Sequence, residues 1–267
     1  AFNILMGNVD TQSRNAFLYS PLNENTWYFI SWDIDGAFTA SKSAINGDDR
    51  GWEKGVSNYW GNILFKRLLM DETLRAKLDS KINELMSVIT EEKIRSMAAV
   101  YAPVIMKYST VYPDSRYMPL TPEKYEELLS IMPKEVQLNY EMYKESLNTP
   151  MPFYISTPVV KDEKTKFGWE AAYDFDAEDV YYTLEVARDY DFAEPLIKAE
   201  NLFVIEYEYD GTLEPGQYFM KVTAKNESGY EQTAFDYYSP RGNVHVYGVK
   251  CFYVLEDGSI WEDVHYE

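Results

Sequence analysis

The chain has 267 residues, and 46% of them are hydrophobic, which excludes wholesale disorder and allows one large domain or two of ordinary size. Its 25 basic and 44 acidic residues give a formal net charge of −19, so the composition disfavours nucleic acids and anionic membrane surfaces as partners. No stretch approaches the roughly 20 apolar residues that cross a bilayer, so we expect no transmembrane segment. With one cysteine, Cys251, and two histidines, His245 and His265, any chemistry must come from carboxylates, amides and hydroxyls.

The acidic residues are unevenly distributed along the chain. Residues 1–150 hold 16 basic and 20 acidic side chains, whereas residues 151–267 hold 9 basic and 24 acidic ones. The segment 148–152 reads Asn-Thr-Pro-Met-Pro and separates the two halves, because proline ends helices and favours extended backbone in the residue before it. We therefore predict two domains, residues 1–149 and residues 150–267.

The first half begins with strand-like segments and continues with helices. Two short apolar runs, at 17–19 and 27–30, are separated by turn-forming residues and predict a β-hairpin. From about residue 57 apolar residues recur at three- and four-residue steps, which is typical of helices that bury one face. The predicted helix starts share a capping side chain, supplied by Asp71, Thr90 and Thr121. A last helix is expected from near Lys134 to Leu147.

The second half is rich in strands. Its β-branched and aromatic runs lie at Val180–Val186, Leu202–Tyr209, Tyr218–Ala224 and Val249–Leu255. Turn residues separate these runs, and short strands at this spacing predict an antiparallel β-sandwich of about 100 residues. The expected fold class is therefore α+β, a mostly helical domain with a hairpin followed by an antiparallel sandwich. Cys251 falls within the last run, where a small core side chain is expected.

Polar residues near the start of the chain form a candidate site. Asp10 and Asn15 bracket a polar loop, and Asp33 and Asp35 follow the second apolar strand of the hairpin. Phosphoryl-transfer enzymes use one Asp to orient the attacking hydroxyl, and an Asn and a second Asp to hold Mg²⁺ against nucleotide phosphates. The alternative is that these are ordinary loop and turn residues. Two carboxylates beside an apolar strand end are, however, costly to bury without a cation or donors.

Segments 7–15, 27–38 and 58–69 resemble the spore-coat CotH family of atypical protein kinases. The resemblance covers residues 1–147, and its most specific element is the Trp-Asp-x-Asp sequence that contains Asp33 and Asp35. It implies that Asp10 is the catalytic-loop aspartate, that Asn15 is its metal-binding partner, and that Asp33 corresponds to the metal-binding aspartate of the kinase DFG motif. Asp35 is a neighbour that the resemblance also places at the metal. The family phosphorylates secreted or surface protein substrates from ATP.

A kinase also needs a glycine-rich loop and a lysine–glutamate pair in a lobe that precedes the catalytic loop. Only nine residues precede Asp10, and they contain no lysine and one glycine, Gly7. We therefore expect the chain to be the C-terminal lobe of a longer protein, without the nucleotide-binding lobe. By itself it should bind ATP poorly and transfer no phosphate.

Segments 167–172, 180–189 and 213–224 are similar to fibronectin type III domains. The resemblance implies that Trp169 is the core tryptophan of an early strand and that Tyr218 forms a tyrosine corner. Such modules act as spacers and adhesive units in extracellular bacterial proteins, which favours binding or architecture for this half.

Two further features of the second half have alternative interpretations. The acidic cluster Asp174, Asp176, Glu178 and Asp179 could bind calcium or form a solvated loop, and the loop is favoured. The paired tyrosines could form a platform for sugars or belong to the core and rim of the sandwich, and the core is favoured.

Together these expectations describe part of a secreted or surface protein kinase that transfers phosphate from Mg²⁺-ATP to Ser or Thr of a protein substrate. The expected location is the bacterial cell surface or the spore coat. The competing hypothesis is a non-catalytic surface or spore-coat protein, in which a degenerate kinase scaffold precedes a sandwich that binds a partner.

Overall fold

The computed structural model describes residues 1–12, 15–47, 50–118, 120–241 and 244–262. The chain divides into two compact units, Ala1–Glu145 and Ser146–Glu267. The first is mostly helical and the second consists of antiparallel sheets, which confirms the α+β class. In the part of the chain that the structure describes, no helix combines the length and apolar character that spanning a bilayer would require. Of the two histidines, His245 packs its ring against Tyr237, with ring centroids 4.5 Å apart, and His265 lies outside the described residues.

The predicted hairpin is present in the N-terminal unit. Strands β1 (Ala16–Tyr19) and β2 (Tyr28–Ser31) pair antiparallel, with Leu18 opposite Phe29. Its apolar side chains are largely exposed, among them Phe29 with 55% of its surface accessible. The hairpin therefore buries little apolar surface. It connects the loop that contains Asp10 to the turn that contains Asp33.

Helices make up most of the rest of this unit. They are α1 (Phe2–Leu5), α2 (Thr39–Asn46), α3 (Ile63–Met70), α4 (Glu72–Val88), α5 (Glu91–Ser109), α6 (Pro122–Ile131) and α7 (Glu135–Asn148). The predicted caps are confirmed, because Asp71, Thr90 and Thr121 each accept a hydrogen bond from the backbone N–H three residues ahead. The last helix lies within one residue of its predicted bounds.

Helix α2 was not expected from the sequence. It begins after Phe38, whose backbone is left-handed with φ 63°, and no side chain near its start caps it. Its first N–H groups are bonded by Glu135 instead, across 94 and 95 residues of sequence. A tertiary contact thus takes the place of the capping side chain with which α3, α4, α5 and α6 begin.

The C-terminal unit contains two main sheets. The strands are β3 (Val159–Lys161), β4 (Lys164–Gly168), β5 (Val180–Ala187), β6 (Ile197–Leu202), β7 (Glu206–Tyr209), β8 (Gly216–Asn226), β9 (Glu231–Thr233), β10 (Tyr237–Arg241), β11 (Val244–Tyr247), β12 (Val249–Val254) and β13 (Ile260–Glu262). One sheet has the strand order β3–β4–β7, and the other has the order β13–β12–β8–β5–β6 with β9 paired to β8. A separate hairpin is formed by β10 and β11.

Side chains from both sheets form one buried core, as a sandwich requires. Phe167 and Trp169 from the first sheet region pack with Leu184 and Val222 from the second, and Trp169 is 3% exposed. The core position expected for Trp169 is therefore confirmed. Cys251 is also buried, as expected, in a smaller cluster with Phe219.

The predicted strand Leu202–Tyr209 was wrong as a single element. β6 ends at Leu202 and pairs with β5, whereas β7 begins at Glu206 and pairs with β4 in the other sheet. A continuous strand could not serve both partners, so the chain leaves one sheet and crosses to the other. The intervening apolar residues, Phe203, Val204 and Ile205, are exposed along this crossing.

The tyrosine corner is present. Tyr218 is 1% exposed, and its hydroxyl donates a 2.7 Å hydrogen bond to the carbonyl of Glu214. We expect Tyr218→Phe to lower the free energy of unfolding of the sandwich by about 1 kcal/mol, because the buried tyrosine loses the hydrogen bond of its hydroxyl. Urea unfolding measures this, with Tyr181→Phe, a change at an exposed tyrosine of β5, as the control. Equal midpoints for the two variants would contradict a structural role for the hydroxyl.

Candidate active site

The loop that carries Asp10 is held by its backbone. Asp10 lies in a 3₁₀ turn, Val9–Gln12, next to the start of the chain. The amide of Asn58 donates to the carbonyl of Val9 at 3.1 Å, and the amide of Asn62 donates to the carbonyl of Gln12 at 2.8 Å. Because these bonds use the main chain, the loop keeps its shape and the Asp10 side chain is left for other contacts.

Asp33 and Asp35 lie on the second segment of the site, directly after β2. Asp33 has a left-handed backbone with φ 53°, a conformation that Asp tolerates better than most residues. The pKa of Asp33 is raised above its usual range, mainly by a hydrogen bond with the Asp35 side chain and by the charge of Asp35, with a smaller effect from Asp10. All three carboxylates are therefore electrostatic neighbours, and two of them share a hydrogen bond.

Gly36 brings the two segments into contact. A Cβ atom on Gly36 would lie 2.5 Å from Oδ2 of Asp10 and 3.0 Å from Oδ1 of Asn8. At 2.5 Å a side-chain carbon would force the Asp10 carboxylate to move, so glycine here lets both oxygens pack on the backbone that follows Asp33 and Asp35.

The start of α2 fastens the same two segments together. The N–H of Phe38 donates to the carbonyl of Met6 at 2.7 Å. The hydroxyl of Thr39 lies within hydrogen-bond distance of two carbonyls, those of Gly7 at 2.5 Å and Gly36 at 2.8 Å. The loop before Asp10 and the turn after Asp35 thus share one set of backbone bonds.

Glu135, the first residue of α7, forms further hydrogen bonds at this junction of the two site segments. Its buried carboxylate accepts from the N–H groups of Ala40 and Ser41, at 3.1 and 2.8 Å, and from the Ser41 hydroxyl at 2.5 Å. It also accepts from the amide of Asn139, which lies 3.2 Å from the carbonyl of Leu5 as well. Two neighbouring side chains of the last helix, Glu135 and Asn139, therefore bond the start of α2 and the end of α1.

The structure makes Asp10, Asp33 and Asp35 electrostatic neighbours, and Asn15 as a ligand beside them stays a prediction. Asn15 lines an apolar cavity of about 350 Å³, whose other walls include Phe29. Among the described residues no hydrogen bond joins its amide to any of the three carboxylates.

The residues of the site fit a hard divalent cation. Within the described ranges, no three side chains of the types Asp, Glu, His and Cys are grouped closely enough to hold a metal by themselves. Mg²⁺, however, commonly uses one or two carboxylates with waters and substrate phosphates. The neighbouring carboxylates of Asp10 and Asp33 are ligands of this kind.

The two alternative sites in the sandwich have ordinary structural explanations. Oδ1 of Asp174 accepts from the N–H groups of Asp176 and Glu178, and the Glu178 carboxylate accepts from Ser228. These bonds form a turn that needs no calcium. Of the paired tyrosines, Tyr182 belongs to the sandwich core, where its hydroxyl accepts from the N–H of Ala172 at 2.8 Å.

Sequence reasoning did not single out several residues that shape the site. Asn58 and Asn62 lie in a segment that resembles CotH proteins, but nothing in the sequence indicates that they donate to the loop. Asn8 and Gly36 stand within the quoted motifs, two and one positions from predicted site residues. Glu135 lies some 125 residues from Asp10 and carried no signal.

The protein is of the α+β class. It has a mostly helical unit, in which two hydrogen-bonded segments carry neighbouring carboxylates, followed by an antiparallel sandwich. The model of the CotH kinase protein family matches residues 1–143, which is more than half of the chain, and the protein therefore belongs to this family. Among solved structures, a Fn3-like protein from Clostridium thermocellum is similar at 18% identity, over 32% of this chain and 83% of that one, with a TM-score of 0.24. No curated protein matches the chain.

Proposed function

We propose that the protein takes part in Mg²⁺-ATP-dependent phosphorylation of Ser or Thr in a protein substrate at a bacterial cell surface or spore coat. The neighbouring carboxylates of Asp10, Asp33 and Asp35 carry this proposal, together with membership of the CotH kinase family. Folding has placed these carboxylates side by side, where a hydrogen bond with Asp35 and the charge of Asp35 raise the pKa of Asp33. Such an arrangement is typical of a site that receives a cation.

Each residue has a proposed role. Asp10 accepts a hydrogen bond from the substrate hydroxyl and orients it, since its carboxylate is exposed and its loop is held by main-chain bonds. Asp33 holds the cation, with Asp35 beside it, and Asn15 remains a predicted ligand. When bound, Mg²⁺ would neutralise negative charge on the nucleotide phosphates. The sandwich acts as a spacer or adhesive unit.

The test of the proposed function is the loss of phosphoryl transfer in Asp33→Asn. In the full-length gene product we expect ATP turnover with Mg²⁺ to fall by at least about 100-fold, because a ligand that contacts the cation is lost. The melting temperature should stay the same or rise. The raised pKa of Asp33 means that folding disfavours its charged form, so the charge opposes folding above that pKa.

Asp114→Asn is the matched control, since it removes one exposed carboxylate from a 3₁₀ turn elsewhere in the same unit. It should keep full turnover. Undiminished activity of Asp33→Asn would contradict the assignment of the metal, and inactivity of the unaltered full-length protein would favour the non-catalytic surface protein instead.

A further inference from the structure

Helix α5 has an apolar face that the rest of the described chain leaves exposed. The inner side of the helix is held by Ile94, which is buried. Beside that inner side lie six large apolar side chains, each 46–65% exposed: Met97, Val100, Tyr101, Val104, Ile105 and Tyr108. We call these six residues the outer face of α5. Soluble proteins rarely keep an apolar surface of this size in water unless it contacts a partner.

The spacing of the outer face is that of a helix that pairs with another helix. Four of its residues follow one another at steps of four, three and four positions: Met97, Tyr101, Val104 and Tyr108. These steps are the alternating a and d positions of a heptad repeat, at which paired helices insert side chains between those of the partner. The other two residues widen the same face on its two sides. The surface is therefore suited to a second amphipathic helix.

The outer face is also symmetric about its middle. Reversing the helix about the bond between residues 102 and 103 exchanges its members in pairs: Met97 with Tyr108, Val100 with Ile105, and Tyr101 with Val104. When two copies of α5 pack antiparallel about that point, every apolar side chain therefore lies level with another one. An interface between two identical chains has this property, because one patch must fit itself. The dipoles of the two helices also favour the antiparallel arrangement.

The distribution of charge favours a second copy as well. The chain as a whole has a net charge of −19, so two copies repel each other over most of their surface. Helix α5 is an exception, since it holds two acidic and three basic residues. No charged residue lies between Arg95 and Lys107, so pairing of the outer faces buries no charged group.

We propose that the outer face of α5 is the interface of a homodimer, in which two copies of α5 pack antiparallel about a two-fold axis. Six side chains of this size, each about half exposed, present on the order of 700 Å² per copy, close to the roughly 800 Å² that each partner contributes to a standard interface. No residue of the candidate active site belongs to α5, so this inference goes beyond the proposed function and does not rest on it.

Sedimentation velocity of the 267-residue chain over a range of concentrations tests the dimer. We expect a species of twice the chain mass of 31.2 kDa, which dissociates on dilution. Val104→Glu should weaken the dimer at least about tenfold, because its carboxylate would be buried against the partner without a counter-ion. Val88→Glu is the matched control, since it makes the same change at a 51% exposed valine on α4, and it should dimerise as the unaltered chain does.

Disulfide formation tests the antiparallel arrangement independently. The chain's own Cys251 is buried and should not interfere. Mixing Met97→Cys with Tyr108→Cys under oxidising conditions should link the two variants to each other, since these positions lie level in the dimer. Met97→Cys alone should stay unlinked, because eleven positions of helix, roughly 16 Å, separate its two copies.

Each result decides the proposal. A chain that stays monomeric at every concentration would overturn it, and so would a dimer that Val104→Glu and Val88→Glu affect equally, because the contact would then lie elsewhere. A disulfide between two copies of Met97→Cys would show parallel helices and contradict the antiparallel dimer. Both glutamate variants should keep the circular dichroism spectrum of the unaltered chain, and if Val104→Glu fails to fold, the cysteine variants decide alone.

Discussion

We expect Glu135→Ala to lower the free energy of unfolding of the N-terminal unit by about 3–5 kcal/mol, since each buried donor left unsatisfied costs about 1–3 kcal/mol. The carboxylate is completely buried and accepts from Ala40, Ser41 and Asn139. Alanine would leave the first N–H groups of α2 without an acceptor and would open a cavity at the junction of the two site segments. Both effects act against the folded state.

Urea unfolding measures this change, and Glu141→Ala is the control, because Glu141 lies on the same helix, is exposed and accepts one hydrogen bond from Gln137. The control should change the free energy of unfolding by less than about 0.5 kcal/mol, as surface substitutions do. The transition of the N-terminal unit is identified as the one that Tyr218→Phe, in the sandwich, leaves unmoved. A loss in Glu135→Ala no greater than in Glu141→Ala would show that the junction contributes little to stability.

We expect Gly36→Ala to weaken Mn²⁺ binding by at least about tenfold while the unit stays folded, an effect comparable to losing a group that orients a ligand. The added methyl carbon would lie 2.5 Å from Oδ2 of Asp10, so that carboxylate must move away. The Asp10 side chain is exposed and can rotate into solvent, which makes the displacement inexpensive for stability. We therefore expect the substitution to change the geometry of the site and to leave the stability of the unit nearly unchanged.

Gly47→Ala provides the opposite pattern and serves as the control. Gly47 follows α2 with φ 72°, and nothing lies within 4 Å of the added methyl carbon. Alanine there should cost about 1 kcal/mol of stability through backbone strain and should leave Mn²⁺ binding unchanged. Equal Mn²⁺ affinities of Gly36→Ala and the unaltered chain would mean that the Asp10 carboxylate has no part in binding.

The parts of the fold that could be predicted are those with local causes. Asp71, Thr90 and Thr121 cap helices through bonds to residues three positions ahead, so their signal lies within one turn of sequence. The β-hairpin and the strands of the sandwich follow from alternating apolar runs and turn residues in the same way.

What could not be predicted depends on contacts between distant residues. Helix α2 begins where Glu135 accepts hydrogen bonds from its first N–H groups, and no capping side chain near Phe38 indicates a helix start. Similarly, the apolar run from Leu202 onward reads as one strand because the sequence does not show that its two ends pair in different sheets.

The residues of the candidate site also differ in whether their role has a local or a tertiary cause. Asp10, Asp33 and Asp35 could be selected because carboxylates in a polar loop and after an apolar strand suggest cation chemistry by themselves. Gly36 could not, because its importance comes from the close approach of the Asp10 carboxylate, which only the folded chain reveals.

The anchoring of the site by the last helix of its unit bears on how the protein is made. A nascent chain leaves the ribosome from its first residue onward, so Asp10 and Asp33 emerge about a hundred residues before Glu135 is synthesised. The bonds that fasten their two segments to α7 cannot form during that interval. Translation of nearly the whole unit must therefore precede assembly of this junction.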